Sequence, residues 1–310
     1  MNRLMTICLT AVVLFMAVMN VASADTIRGI GMDFVTIGNP GNAADTGGTP
    51  GCGAVGYNYR IGKYEVTNAQ WNTFTAAAGA PTGNGNGYNH GEPFTGAQQS
   101  VDEVSWLAAV QFCNYLTSGD KSKGAYLFSG NNTNPGDFRG INRDAAISSY
   151  GIAYVIPTED EWYKAAYYKP DGSGYSLYAN GLDTIPAPGN GWNYFGVYGP
   201  DFGKYGGGYD SEPWNVGTGT QEQNGTYDMM GNVWELTETL AYGSWSVTRG
   251  GSYYYDDHAE KLASPYYTWC APTFDGDPRI GFRIAEVPVP EPATFLLLGF
   301  GAVILRKRRA

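Results

Sequence analysis

The chain predicts a loop-rich single domain that mixes short strands with capped helices, and three observations carry that expectation. First, 44 glycines and 24 tyrosines stand against only 15% charged residues in 310, a balance that favours long packed loops faced with aromatics. Second, three segments open with an explicit helix start signal followed by apolar residues at helical spacing. Third, Gly/Pro/Asn-rich stretches and short alternating runs separate those segments. With both chain ends set aside, about 270 residues remain, enough to bury one substantial core.

The elements follow in order. Asp33–Ile37 alternates and predicts an opening strand, and Tyr57–Lys63 predicts a second. A helix should start at Thr67, because Gln70 three residues on completes a capping box in which hydroxyl and amide satisfy orphan backbone donors. Trp71 and Phe74 give it an apolar stripe. Ser105 should cap the next helix, on which Trp106, Ala109, Val110 and Cys113 face the core. After Pro157, Thr158 and Glu161 form another capping box ahead of Trp162, Ala165 and Ala166. Gly83–Gly91 and Gly203–Tyr209 read as glycine-rich loops.

The two ends carry addresses rather than fold. Met1-Asn2-Arg3 is cationic, Leu4 to Val21 is almost wholly apolar, and Ala22-Ser23-Ala24 offers a signal-peptidase site, so residues 1–24 read as a signal peptide. At the other end, Val289-Pro290-Glu291-Pro292-Ala293 leads into an apolar run to Leu305 and then Arg306-Lys307-Arg308-Arg309. A dozen apolar residues are too few for an ordinary spanning helix, which needs about 20. Without both ends the 19 basic residues fall to 14 against 29 acids, and the net charge moves from −10 to −15. So acidic a body repels nucleic acid and anionic lipid, and neither is an expected partner.

Tyr227-Asp228-Met229-Met230-Gly231-Asn232-Val233-Trp234-Glu235, Arg249-Gly250-Gly251-Ser252-Tyr253 and Ile280-Gly281-Phe282-Arg283 resemble the signature blocks of the formylglycine-generating enzyme family, the sulfatase-modifying-factor domain. The Lys63–Trp71 block and the Pro157–Ala166 block resemble two earlier ones, in family order, so the resemblance spans residues 27–286. It implies an α+β fold, the formylglycine-generating-enzyme fold related to C-type lectin-like domains. The tail at 289–310 resembles the PEP-CTERM sorting signal, which implies an exosortase-type sorting enzyme as partner. Export to the cell envelope or extracellular matrix would follow, with the tail transiently in the membrane and cut near the Pro-Glu-Pro.

Family members that oxidise a sulfatase cysteine carry two cysteines, five residues apart, after the Gly-Gly-Ser. Those positions fall here on Tyr255 and Glu260. The oxidase chemistry needs Cu(I) between two soft thiolates, and a phenol and a carboxylate are hard oxygen donors, so copper is not expected. Trp234 and Ser252, with Tyr255 and Glu260, match positions lining the family's cleft. The family's Ca²⁺ ligands carry over to Asp228, Gly231, Val233 and Glu235, two side chains and two carbonyls suited to a hard cation. A second, weaker set would draw on Asn193, Tyr194 and Asp210.

Other chemistries find little support. His90 and His258 are the two histidines, too few for a three-histidine iron site. Ser252, His258 and Asp256 or Asp257 lack a nucleophile-elbow context. Gly206-Gly207-Gly208 lacks the lysine and following helix of a phosphate cradle. Of Cys52, Cys113 and Cys270, a Cys52–Cys270 bridge is conceivable. Tyr253, Tyr254, Tyr255, Tyr266, Tyr267 and Trp269 cluster around the cleft positions, an aromatic surface suited to sugar or peptide. The expectation is a surface-sorted, calcium-braced binding or matrix protein without the cysteine pair. A formylglycine-generating oxidase with other ligands is the alternative.

Overall fold

The computed structural model describes residues 24–81, 94–129, 137–184, 212–241, 245–254, 259–270 and 277–288. The leader up to Ser23 and the sorting tail from Val289 lie outside them, as do both glycine-rich loops, His90, His258 and the weaker metal set at Asn193, Tyr194 and Asp210.

The architecture is α+β, and among the described residues it holds two four-stranded sheets and two two-stranded ones. The chain starts with a hairpin of β1 (Asp25–Ile27) and β2 (Ile30–Met32), too short to show a resolvable alternation in sequence. The predicted opening strand forms as β3 (Phe34–Ile37), antiparallel to β4 (Tyr59–Gly62), the second predicted strand. The last described strand, β12 (Ala285–Pro288), returns to lie between β4 and β7 (Ile152–Val155), giving the order β3-β4-β12-β7. The second sheet runs β10 (Thr268–Cys270), β9 (Trp245–Arg249), β8 (Trp234–Ala241), β11 (Ile280–Gly281). There β11 pairs in parallel with β8, Gly281 opposite Glu235. A ribbon of β5 (Tyr126–Phe128) and β6 (Phe138–Ile141) completes the set.

The helix start signals hold. Helix α1 (Asn68–Ala78) is capped by Thr67 with the Gln70 side chain bonded back to the Thr67 amide, and α4 (Glu159–Tyr167) has the same reciprocal box between Thr158 and Glu161. Ser105 caps α2 (Trp106–Ser118) by accepting from the Ala108 amide. The stripe on α2 is wider than expected, since Trp106 to Thr117 are all buried. Three of its buried residues, Gln111, Asn114 and Thr117, are polar, and Thr117 Oγ1 donates to the Cys113 carbonyl. Gln111 donates to the Leu107 carbonyl and Asn114 to the Tyr126 carbonyl, which satisfies amides placed in the core. Between α2 and α4 in sequence lies α3 (Arg143–Tyr150), which has an Asn142 cap but buries only Ala146 and Ile147, so apolar periodicity does not announce it.

Among the described residues the core falls into two apolar clusters. One gathers α1, α2, β7 and β8 around Trp71, Phe74, Phe112 and Phe282, with the Trp71 and Phe112 rings stacked at 5.8 Å. The other packs Trp162, Tyr163 and Tyr167 of α4 against Tyr59, Met229 and Met230. Cys52, Cys113 and Cys270 are all free thiols, so the conceivable Cys52–Cys270 bridge is not formed. Cys52 packs against the second cluster and Cys270 belongs to the first.

Candidate functional site

The Tyr227–Glu235 loop and the Arg249–Tyr253 turn lock together through their backbones. The Gly231 amide donates to the Gly250 carbonyl at 2.8 Å, and the Tyr253 amide to the Asn232 carbonyl at 2.9 Å. Gly250 sits at φ +102°, and a Cβ there would meet the Met229 carbonyl at 3.3 Å and the Trp162 ring at 3.4 Å, so both conformation and space demand glycine. Asp228 and Asn232 take left-handed conformations (φ 61° and 59°), which Asp and Asn tolerate best among side-chain-bearing residues. Asn232 is held by its amide donating to Glu65 Oε2 at 2.5 Å and by its Oδ1 accepting from the Trp214 amide at 2.8 Å.

That loop closes over four buried carboxylates. Glu235 is fully buried; its Oε2 accepts from Arg283 Nε (2.5 Å) and Trp162 Nε1 (2.8 Å), and its Oε1 from Arg283 Nη2 (2.5 Å). Asp228 Oδ2 accepts from the Gly217 amide at 2.7 Å. Glu65 accepts from Asn232 and, at 3.3 Å, from the Val233 amide. Glu222 is 4% exposed; its Oε2 accepts from Thr226 Oγ1 at 2.9 Å, and the Met229 backbone amide also bonds its carboxylate. Burial, with Asp228 and Glu235 adding to it, holds the Glu65 carboxyl well above the usual range. Burial likewise pushes Glu222 up to about 8 and Asp228 up to about 6, against the pull of the Arg283 guanidinium. Glu65, Glu222 and Arg283 were not among the expected site residues. Glu65 and Arg283 stood in quoted motif blocks, but nothing in sequence marks Glu222.

The expected calcium set fits a cation in part. Asp228 offers a carboxylate, and among the described residues the Gly231 and Val233 carbonyls accept no hydrogen bond. Glu235, expected as the second carboxylate ligand, has both oxygens engaged by Arg283 and Trp162. Among the described residues no group of three His, Cys, Asp or Glu side chains is placed to hold a metal ion.

Trp234 precedes Glu235 on β8, and adjacent strand residues point to opposite faces. Glu235 therefore enters the carboxylate cluster while Trp234 lines an open cavity of about 320 Å³. Trp245, Tyr266, Trp269 and Cys270 share that wall, with Lys261, Asp277 and Arg279 at its polar side. Trp269 pairs across the sheet with Val247, two residues after Trp245, so both indoles project from one face. Each is 42% exposed. The Trp234 and Tyr266 rings lie 5.9 Å apart, Lys261 Nζ sits 5.9 Å from the Tyr266 centroid, and Asp277 fixes Arg279 through two bonds of 2.8 and 2.7 Å. Burial pushes the Cys270 thiol up to about 12, so it stays protonated at neutral pH.

The remaining cleft positions separate. Ser252 is fully buried, and its Oγ accepts from the Tyr254 amide at 3.2 Å. Glu260 is exposed on a 3₁₀ turn at Ala259–Leu262. Tyr255, Asp256, Asp257 and His258 lie outside the described residues. Trp245, Lys261, Asp277 and Arg279 were missed because each comes from a different loop or strand end.

The chain is 24% identical over 231 residues to the chaperone protein LppX of Paenibacillus barcinonensis, covering 67% of this chain and 74% of that protein. Its fold is similar to the crystal structure of CarF, with a TM-score of 0.61 and 22% identity over 83% of this chain and 98% of that one. It is also similar to Treponema denticola variable protein 1, with a TM-score of 0.53 and 20% identity over 85% and 98%. Residues 288–309 match the PEP-CTERM protein-sorting motif, which implies recognition by an exosortase-type enzyme, export and association with the envelope. No helix among the described residues is long and apolar enough to cross a membrane. Residues 38–287 match the sulfatase-modifying factor enzyme 1-like domain, and the chain belongs to that family.

Proposed function

We propose that this protein is a surface-sorted binding module, exported behind a signal peptide at 1–24, whose calcium-braced loops present an aromatic cleft to an extracellular sugar polymer or peptide. The observation that carries this reading is the cleft wall of Trp234, Trp245, Tyr266 and Trp269. Indole and phenol rings supply flat apolar area with a polar rim at small entropic cost, which suits the faces of sugar rings. Polar groups at the edge, Lys261 and the Asp277-Arg279 pair, give orientation. The thiol in the wall, Cys270, is held protonated, and the family's two copper-binding positions carry Tyr255 and Glu260. Soft-ligand copper chemistry therefore has no donors at those two positions.

A polysaccharide array probed with the exported protein tests the reading. Binding to one polymer class, weakened by Trp269→Ala, is the expected result. A blank array together with no affinity for the host's own matrix would sink it. The oxidase alternative is tested by incubating the protein with copper, oxygen and a Cys-x-Pro-x-Arg peptide. An unchanged peptide mass is expected, and the mass of formylglycine would restore an enzymatic role.

A further inference from the structure

We infer that the surface formed by Leu127, Phe128 and Tyr150, at the end of the domain where the sorting tail leaves it, is where the exosortase-type enzyme docks on the folded protein. The tail leaves from a fixed point. The sorting-motif match begins at Pro288, and Pro288 is still in a β-ladder, opposite Ile152 on β7, the edge strand of its sheet. Helix α3 ends on Tyr150 and turns at the left-handed Gly151 straight into β7. Two Cα steps and one ladder spacing put the Tyr150 backbone within about 13 Å of Pro288. The Pro290-Glu291-Pro292 signal is tethered as closely, because four residues reach at most about 14 Å when fully extended. A standard protein interface covers about 800 Å² on each partner. An enzyme that grips a motif on so short a tether therefore meets this end of the domain.

The surface there suits a protein partner. Leu127, Phe128, Ala145 and Tyr150 line a cavity of about 350 Å³ between the β5–β6 ribbon and α3. Tyr150 is 41% exposed and Leu127 39%, while the Phe128 ring packs 5.7 Å from Phe138 and gives the cavity a fixed wall. Apolar side chains around a concavity gain free energy when a partner covers them, and tyrosine adds a polar tip that stays wet. Lipid fits less well. Lys123 is the single charged residue among the described ones that line the cavity, and its ammonium lies 2.8 Å from Asp120. An anionic leaflet finds no cationic patch here, and the acidic body of the chain repels it. The ladder at Pro288 and the α3–β7 turn form only when the domain folds. Docking on them ties recognition of the tail to completed folding.

Pulse-chase measurement of tail removal from the full-length chain in its host tests the assignment. Wild type is compared with Leu127→Ser/Tyr150→Ser and, as a control at an exposed leucine far along the chain, Leu182→Ser. The double variant should lose its tail about tenfold more slowly, at an unchanged melting temperature, and the control should match wild type. A twelve-residue Gly/Ser spacer between Pro288 and Val289 should also slow removal, because it dilutes the tail relative to the face. Equal rates in wild type and double variant would overturn the proposal. So would faster removal with the spacer, which would make the domain an obstacle rather than a dock, and so would a wild-type chain that keeps its tail. Equal removal with weakened binding of the double variant to phosphatidylcholine vesicles would assign the face to lipid and overturn it too. If the double variant does not fold, Tyr150→Lys alone puts a charge at an exposed helix end; a wild-type rate there would be equally decisive against docking.

Discussion

Glu235 and Arg283 form a two-pronged ion pair with both side chains completely buried, Oε2 facing Nε and Oε1 facing Nη2 at 2.5 Å each. Parallel pairing of β8 with β11 sets this contact, since Gly281 lies opposite Glu235 and Arg283 follows two residues on. The guanidinium also donates to the Gly62 and Tyr227 carbonyls at 3.0 and 2.9 Å, so one side chain joins both sheets to the signature loop.

Removing either partner should therefore be severe. Glu235→Ala or Arg283→Ala leaves an uncompensated buried charge, and the expected loss is about 3–5 kcal/mol, read from urea denaturation midpoints. The double variant Glu235→Leu/Arg283→Met should recover part of that loss. It cannot recover all, because the two carbonyls lose their donor. A double variant no better than the singles would show that the carbonyl contacts, not the pair, dominate.

Chelation should lower the melting temperature of wild type, and Ca²⁺ should restore it more than Mg²⁺. A ligand bound only by the native state at a hundredfold excess over Kd stabilises it by about 2.7 kcal/mol. Scanning fluorimetry with EDTA and with each metal reads this directly. Melting curves that coincide in EDTA and in CaCl₂ would leave the carboxylate cluster without a cation.

Asp102 gives a pH prediction away from that cluster. Its carboxyl is buried, with Glu103 and Asp277 adding repulsion, and is pushed from 3.8 to about 7. A carboxyl whose folded value is raised binds more protons folded than unfolded between those two values. Stability should therefore fall as pH rises from about 4 to about 7, and stay low above that. Asp102→Asn should remove the penalty, leaving stability unchanged near pH 4 and raised at pH 8 on the order of a few kcal/mol. Asn keeps an oxygen to accept from the Phe94 amide, bonded to Asp102 at 3.2 Å. Equal pH profiles for the two proteins would refute it.

Trp245 and Trp269 are each 42% exposed, so truncation should affect binding rather than folding. Trp269→Ala should weaken whatever polymer the array identifies by on the order of 2 kcal/mol, with little change in melting temperature. A binding loss that merely tracks a drop in melting temperature would point to packing instead.

The sorting tail should be absent from the finished product. Intact-mass analysis of the envelope fraction should find a C-terminus near Pro292 and no Arg306–Arg309. Full-length tails there would mean that the motif is not processed in this chain.

Much of the fold was legible because it is written in short-range chemistry. Thr67 with Gln70, Ser105, and Thr158 with Glu161 act within one helical turn, so the residues that cap a helix are neighbours in sequence. The Gly-Gly turn and the Asp228–Glu235 loop were equally visible, because backbone conformations closed to most side chains select glycine, asparagine and aspartate locally. Helix α3 escaped because an exposed helix with two buried residues leaves no periodic trace. The site itself was decided by tertiary structure. Whether Glu235 is a ligand or half of an ion pair depends on Arg283, 48 positions away, and Glu222 joins the cluster because the fold brings it into the field of Asp228 and Arg283. Charges and rings acquire their roles from neighbours that only long-range pairing supplies, and no local pattern encodes those neighbours.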